Sequence, residues 1–478
     1  MDTLNQRGFK MQQLTNLDAS FLYLESARTP MHIGCVLTFY KPKDGVMTFK
    51  RFKSYIESRL SVSPVFRRKL KTVPLDLDRP YWVDDINFDI DNHLTQLKLF
   101  GKNIADQKSD LINTFFSETL IPSRPLWEML FIQDSIQPDE GFSVLLKIHH
   151  AAADGKSAEK ILSGLLSDSP EHNLPINDTW VPKKLSKRKM ANNKLRSVYR
   201  SPRELLSLTK RLSHSVASSQ LLRFLDRQQR PPNFFTAPST PFNQEVGSAH
   251  ALNSAHLSLA SIKDIKTSYP GCTINDVVLT ICASALRKHL LNKNVLPENP
   301  ITAMVPVSKR PENGENGGNL ISPMLVSLAT DIESPIERLT TVHQNAISAK
   351  RYNKEVAVER IINHLPSWSS SWITKAYTRL RAANSFNPIF NVIITNVPGP
   401  RCQMYLDGAK LISLEGTAPI VDGMGLTLVV TSYMETLTIG MTSTAEMAPY
   451  GAEFIQYLHE SLDELHNALI SKILNKAS

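Results

Sequence analysis

The stretch Ile148-His149-His150-Ala151-Ala152-Ala153-Asp154-Gly155, with the run Phe142-Ser143-Val144-Leu145-Leu146-Lys147 before it, decides how this chain folds. Alternation at period two makes residues 142–150 a half-buried strand. Phe142, Val144, Leu146, Ile148 and His150 share one face, and Ser143, Leu145, Lys147 and His149 the other. Three alanines then permit a tight turn, and Asp154-Gly155 supplies turn chemistry. Ser157 is placed to cap the helix that follows, in which Ile161, Leu162, Leu165 and Leu166 recur at helical spacing. A histidine at the mouth of a strand, with a carboxylate four residues on, suits a group that accepts a proton near neutral pH. Two plainer readings stand beside that one: satisfied structural histidines at a strand end, or a metal pair. Adjacent strand histidines point to opposite faces and no third ligand follows at a familiar spacing, so the metal pair is the weaker.

Outward from this stretch, residues 33–40 read as a strand, and Phe52, Ile56 and Leu60 space a helix over 49–60. A strand pair is predicted near 69–73 and 81–83, a helix over 103–119 and a strand over 127–132. Strands alternating with helices indicate an α/β domain, residues 1–182. Residues 183–241 turn basic and Ser-rich, with Pro231, Pro232 and Pro238, and read as a crossover holding one or two amphipathic helices. A second α/β half occupies 242–478. It opens with a helix over 261–268 and continues with a strongly apolar helix over 277–291, headed by Thr273-Ile274-Asn275-Asp276. Strands follow over 300–307, 324–330 and 390–396, the last stopped by Val397-Pro398-Gly399-Pro400. An antiparallel pair over 425–432 and 436–441 and a closing helix over 451–473 complete the chain.

At 478 residues, 42% hydrophobic and 21% charged, the chain has the composition of a soluble globular protein with room for two or three domains. Its four cysteines (Cys35, Cys272, Cys282 and Cys402) form no C-x-x-C pair. That argues against a disulfide framework or a zinc ribbon and for a reducing compartment. The N-terminus lacks the apolar core of a signal peptide, and no run approaches the roughly eighteen apolar residues of a membrane span. A cytoplasmic protein, at most lying on a membrane surface, is expected. The net charge of +9 is unevenly spread. Between Lys183 and Arg230 fourteen Lys and Arg meet two acids, Glu204 and Asp226, giving +12 there and −3 over the rest. That basic segment either faces lipid headgroups or is a solvated linker. Nucleic acid is disfavoured, because only Tyr199 and Phe224 interleave with the fourteen basic residues before Phe234-Phe235. Trp368, Trp372 and Tyr377 with Lys375, Arg379 and Arg381 offer a second interfacial helix, or simply core packing.

For His150 the functional reading is a general base that deprotonates a hydroxyl attacking an acyl carbon, at the ordinary histidine pKa of about 6.5. The chain has no G-x-S-x-G, so a serine hydrolase would lack its nucleophile elbow. Asp154 either orients the imidazole or holds the turn through a salt bridge to Arg67 or Arg68. His149, on the opposite face, reads as structural. Helix capping is sufficient to explain Asn275 and Asp276, and the alternative is that Asn275 donates a hydrogen bond to a developing oxyanion. Asn396 to Pro400 most simply makes a rigid turn.

With these residues placed, the chain resembles the bacterial wax ester synthase/acyl-CoA:diacylglycerol acyltransferase family, within the CoA-dependent acyltransferases that include chloramphenicol acetyltransferase. The resemblance runs nearly end to end. It rests on L-D-A-S-F-L-Y-L-E at 17–25, P-M-H-I-G at 30–34, P-L-W at 125–127, H-H-A-A-A-D-G at 149–155, N-D at 275–276, V-P-V-S at 305–308 and N-V-P-G-P at 396–400. It implies two chloramphenicol-acetyltransferase-like α/β domains, each around a mixed β-sheet, with an active-site tunnel between them. His150 would be the proton acceptor, with His149, Asp154 and Gly155 completing its motif and Asn275 a second catalytic polar group. Asp276, Asn396, Pro398 and Gly399 would contact substrate. The implied reaction moves a fatty acyl group from acyl-CoA, a co-substrate, to a long-chain fatty alcohol or a diacylglycerol in a ternary complex, with no cofactor and no metal. The resemblance also implies a protein in the cytoplasm, peripherally attached to the inner membrane or to lipid droplets. Two other readings are a condensation-type acyltransferase using a carrier-protein thioester and a non-catalytic lipid-surface protein. The lack of a carrier domain weighs against the first, and intact His150 and Asp154 against the second.

Overall fold

The structure is a computed structural model that describes residues 12–73, 78–134, 141–171, 180–181, 232, 236–308, 321–356, 387–444, 446–447 and 451–477. The chain opens with β1 (Gln12–Gln13) and α1 (Asn16–Leu24), then β2 (His32–Tyr40), α2 (Phe49–Arg59), β3 (Arg68–Lys71) and β4 (Tyr81–Asp84). β5 (Leu94–Leu99), α3 (Ile104–Ser117), β6 (Trp127–Asp134), β7 (Gly141–His149) and α4 (Gly155–Leu165) lead to the basic segment, of which 183–230 lies outside the described residues, as does the Trp368 region. Beyond it come β8 (His250–Ser258), α5 (Leu259–Ser268), α6 (Ile274–Asn292), β9 (Thr302–Ser308), β10 (Ile321–Ser327), α7 (Pro335–Val356) and β11 (Val392–Pro398). The chain closes with β12 (Tyr405–Leu406), β13 (Ala409–Thr417), β14 (Leu426–Tyr433), β15 (Thr436–Thr444) and α8 (Gly451–Ala477).

Two six-stranded sheets organise these elements. One has the order β12-β13-β2-β7-β6-β5, the other β10-β9-β11-β14-β15-β8, and β1-β4-β3 make a small third. Both large sheets are mixed: β5 runs parallel to β6 and β11 parallel to β9, while β2–β7, β6–β7, β10–β9, β12–β13, β14–β15 and β15–β8 pair antiparallel. The chain divides into two compact units. The first gathers the described N-terminal residues and Val397–Gly416. The second takes the described residues from Pro232 up to Asn396, and Thr417 onward. A cut of the chain into 1–182 and 242–478 misses the hairpin of β12 and β13, which the first sheet takes from far downstream.

In the first unit β7 is central, with His32 of β2 and Trp127 of β6 fixing the register against His149 and Ile148. It is buried on both faces, not one. The side carrying Ser143, Leu145, Lys147 and His149 is covered because the polar groups on it find partners. Lys147, fully buried, donates from Nζ to the carbonyls of Phe115 (2.9 Å) and Glu118 (3.1 Å) at the end of α3 and pairs with Glu128 (3.1 Å). A cation over the free carbonyls of a helix C-terminus is favourably placed, which is what lets a lysine sit in a core strand. Trp127 explains the P-L-W stretch. Its indole N–H reaches the Phe66 carbonyl (3.1 Å), and His93 stacks on it at 4.5 Å.

In the second unit α6 lies in the core, with every residue from Asp276 to Leu286 buried. Thr280 and Ser284 satisfy their hydroxyls on the carbonyls one turn back, so polar side chains cost little there. α8 covers α6 and β8 with Phe454, Leu458, Leu462, Leu465 and Leu469. Among the described residues no helix is long and apolar enough to cross a membrane.

Candidate active site

The site in the first unit is built by the end of β7 and three segments that come to it. The His150 N–H donates to the carbonyl of Met31 (2.8 Å), so the chain entering β2 holds the histidine just past the end of its strand. The P-M-H-I-G stretch allows that approach. His32 hydrogen-bonds through Nε2 to the Phe116 carbonyl (2.8 Å), and a Cβ on Gly34 would lie 2.4 Å from both the Leu146 carbonyl oxygen and the Phe116 ring. Only glycine fits there.

His149 is fully buried, and its ring is fixed from both sides. Nδ1 accepts the Ala151 N–H at 3.0 Å, so the neutral ring carries its proton on Nε2, which faces Glu25 Oε1 at 3.4 Å. The His149 carbonyl takes the N–H groups of Ala152 (2.8 Å) and Ala153 (3.3 Å), closing the tight turn that three small residues permit.

His150 has a different environment. Its ring stacks on Phe21 of α1, centroids 4.0 Å apart and planes 18° from parallel. Nδ1 is shut away with no hydrogen-bond partner among the described residues, which leaves Nε2 as the nitrogen open to a reacting group. Burial pushes the imidazole pKa down to about 4. Its own carbonyl and Asp154 pull it up and His149 pushes it down, all by less. The ordinary value of about 6.5 expected from sequence is therefore replaced by a base that is neutral throughout the physiological range.

Asp154 takes neither role expected of it. It is the N-cap of α4, its Oδ1 accepting the Ser157 N–H at 2.7 Å, so Ser157 is the capped residue and not the cap. Arg68 pairs instead with Asp84 (3.5 Å), and Arg67 lies over the Phe88 ring. Asp154 has no hydrogen bond to His150 and acts on it only through its charge. Gly155 begins α4, where an added Cβ would come within 3.4 Å of Val397. The N-V-P-G-P stretch thus meets the H-H-x-x-x-D-G turn at Val397, while Asn396 and Pro398 are exposed and Gly399 half-exposed.

Sequence reasoning missed Phe21 and Glu25 as parts of this site. The signal was present: Phe21 and Glu25 are one helical turn apart within L-D-A-S-F-L-Y-L-E, which is the spacing needed to reach two adjacent histidines from one helix face.

In the second unit Thr273 caps α6 in a reciprocal box with Asp276. Asp276 Oδ2 accepts the Thr273 N–H (2.9 Å) and hydroxyl (2.8 Å) and also meets Nδ1 of His343 on α7 (2.9 Å). His343 was not anticipated. Capping therefore accounts for Asp276. It does not account for Asn275, half-exposed in the first turn, whose side chain makes no hydrogen bond among the described residues.

Two family models match the chain. The wax ester synthase/diacylglycerol acyltransferase catalytic domain matches residues 14–278, and the C-terminal domain of the same family matches 317–466. A Mycobacterium tuberculosis protein provisionally named diacyglycerol O-acyltransferase is 31% identical over 92% of this chain and 87% of its own length. O-acyltransferase WSD of Acinetobacter baylyi is 28% identical over 97% of this chain and 98% of its own. The solved wax ester synthase/diacylglycerol acyltransferase of Marinobacter aquaeolei VT8 superposes with a TM-score of 0.66 at 25% identity, covering 96% of this chain and all of that one.

Proposed function

Because this chain belongs to the wax ester synthase/diacylglycerol acyltransferase family and is an acyltransferase, we propose that His150 is the base that activates its acceptor hydroxyl. The donor is a fatty acyl-CoA, and the acceptor a long-chain alcohol or a diacylglycerol. His150 Nε2 removes the hydroxyl proton as the oxygen attacks the thioester carbonyl carbon. The tetrahedral oxyanion collapses, the C–S bond breaks, and the CoA thiolate recovers the proton from the imidazolium. Imidazolium and oxyanion form together as an ion pair, so a base whose cation is disfavoured in the free site gains most when the transition state supplies the counter-charge. Asn275 is the proposed donor to substrate or oxyanion, and Asp276 is proposed to contact substrate. Asn396, Pro398 and Gly399 are proposed to contact substrate.

The observation that carries this reading is the His150 ring itself, half-exposed, with Nδ1 buried and without a hydrogen-bond partner among the described residues. Apolar acceptors and products, with the +12 segment at 183–230, support a membrane or lipid-droplet surface as the place of action. The test is free-thiol release from palmitoyl-CoA with hexadecanol or dioleoylglycerol, for wild type and His150→Ala, with and without anionic vesicles. Acceptor-dependent release should fall by about 10³-fold or more in the mutant. Vesicles should raise the wild-type rate in a salt-sensitive way. A folded His150→Ala protein with near-normal turnover would sink the mechanism.

A further inference from the structure

Among the described residues no hydrogen bond from another residue fixes the plane of the His150 ring. The backbone N–H is tied to Met31, but Nδ1 has no hydrogen-bond partner among the described residues, and Asp154 accepts the Ser157 N–H. The torsion that turns an imidazole about its bond to Cβ is broad and soft. A base that must present Nε2 to a hydroxyl needs some other restraint, and one is present. Phe21 lies parallel to the ring at 4.0 Å.

Phe21 is itself held at both ends of its helix. At the start, Thr15 accepts the Asp18 N–H (3.0 Å) and donates to the Asp18 carboxylate (2.7 Å), while the Leu14 N–H reaches the Pro80 carbonyl (3.0 Å). At the end, Glu25 receives the Met31 N–H (3.2 Å) and faces His149. Between them Phe21 packs on the cluster of Leu14, Ala19 and Ala151. The helix therefore touches both histidines of the motif and the carbonyl-bearing residue that holds His150.

We propose that Phe21 is a positioning residue for the transfer reaction, its ring fixing the plane of the His150 imidazole and keeping water from that face. The proposal rests on His150 acting as the base. The titratable groups that face the imidazole are His149 from the same strand and Asp154 from the head of α4, and α1 presents Phe21 there, with Glu25 engaged on His149. Replacing the aromatic ring leaves those groups in place, so any change in the titration of His150 reports the loss of the stack and not of a charge.

The experiment compares Phe21→Leu, Phe21→Ala, Phe21→Tyr and Phe21→Trp by steady-state kinetics and by histidine NMR, with His150→Gln assigning the His150 signals. Leucine and alanine should lower kcat by about 10- to 100-fold with KM for palmitoyl-CoA within about twofold, the mark of lost orientation and not lost binding. They should also abolish the upfield ring-current displacement of the His150 ring protons. Phe21→Ala, which opens the face to water, should raise the titration midpoint of His150 by about one pH unit. Tyrosine and tryptophan should restore kcat and the ring-current displacement. Wild-type kcat and an unmoved His150 titration in folded Phe21→Leu and Phe21→Ala would overturn the proposal. A moved titration in a protein that shows no His150-dependent transfer would instead overturn the proposed reaction and leave the stack standing.

Discussion

His150 shows how a residue's chemistry is set by what encloses it. Its identity and place in the motif were legible in the sequence, because a strand-end histidine before an Asp-Gly turn is a short-range pattern. Its acidity was not, because the ring that covers it comes from α1, far upstream. The depressed pKa has a consequence for stability and one for rate. Between about pH 6.5 and pH 4 the unfolded chain binds a proton at this position that the native protein does not, so stability falls as pH drops through that window and is flat above it. The loss attributable to His150 is on the order of 3 kcal/mol at most, and buried His93 and His289, also pushed down, act in the same direction. For the rate, His150 stays unprotonated well below the ordinary histidine range. The acid limb of kcat/KM should therefore lie near pH 4–5, with activity nearly unchanged between pH 8 and pH 5.5. A limb centred at pH 6.5 in a protein still folded by circular dichroism would contradict this assignment.

Elements were legible where their pattern is self-contained, as in the apolar helix α6 and the β14–β15 hairpin. They were missed where it is not. β5 is an edge strand with Leu97 exposed, so period-two burial fades. The hairpin of β12 and β13 did announce itself, through Asp407-Gly408, whose φ angles of 49° and 81° are those of a two-residue turn that favours such residues. The strand after it alternates buried and exposed positions as well. At the head of α6 the sequence left capping and catalysis unresolved for Asn275 and Asp276, and the structure separates them. Asp276→Ala removes the acceptor of three hydrogen bonds, one of them from His343, and should cost roughly 2 kcal/mol of stability along with activity. Asn275→Ala removes no hydrogen bond among the described residues. Its stability should stay within about 0.5 kcal/mol while turnover falls about 10²-fold. Denaturant titrations and thiol-release rates on the same samples decide the matter. If Asn275→Ala unfolds as readily as Asp276→Ala, capping explains both residues.

At the scale of the whole molecule, the linear order of the chain and the composition of its sheets disagree. Residues downstream of β11 return to complete the first sheet beside β2, and that pairing is invisible to local pattern because its partners are hundreds of residues apart. The hairpin is a structural member of the first unit. Leu406, Ala409, Leu411 and Leu414 are buried, Arg51 grips Asp407 through both its carboxylate (2.5 Å) and its carbonyl (2.9 Å), and Tyr405 and Ser167 exchange backbone hydrogen bonds at 2.7 and 2.8 Å. Burying three leucines contributes about 6 kcal/mol by area, and a folded unit has only about 5–15 kcal/mol in total. A fragment ending at residue 241, although it holds the complete H-H-x-x-x-D-G motif, therefore loses most of its margin. It also exposes β2 as a long unpaired edge, the usual template for aggregation. Expressed alone it should be insoluble or form large oligomers by light scattering. Co-expression with residues 242–478, which carry the hairpin, should give a soluble complex that unfolds cooperatively. A monomeric 1–241 fragment with native near-ultraviolet circular dichroism would show that the first unit closes without β12 and β13, and that its active site depends on nothing downstream.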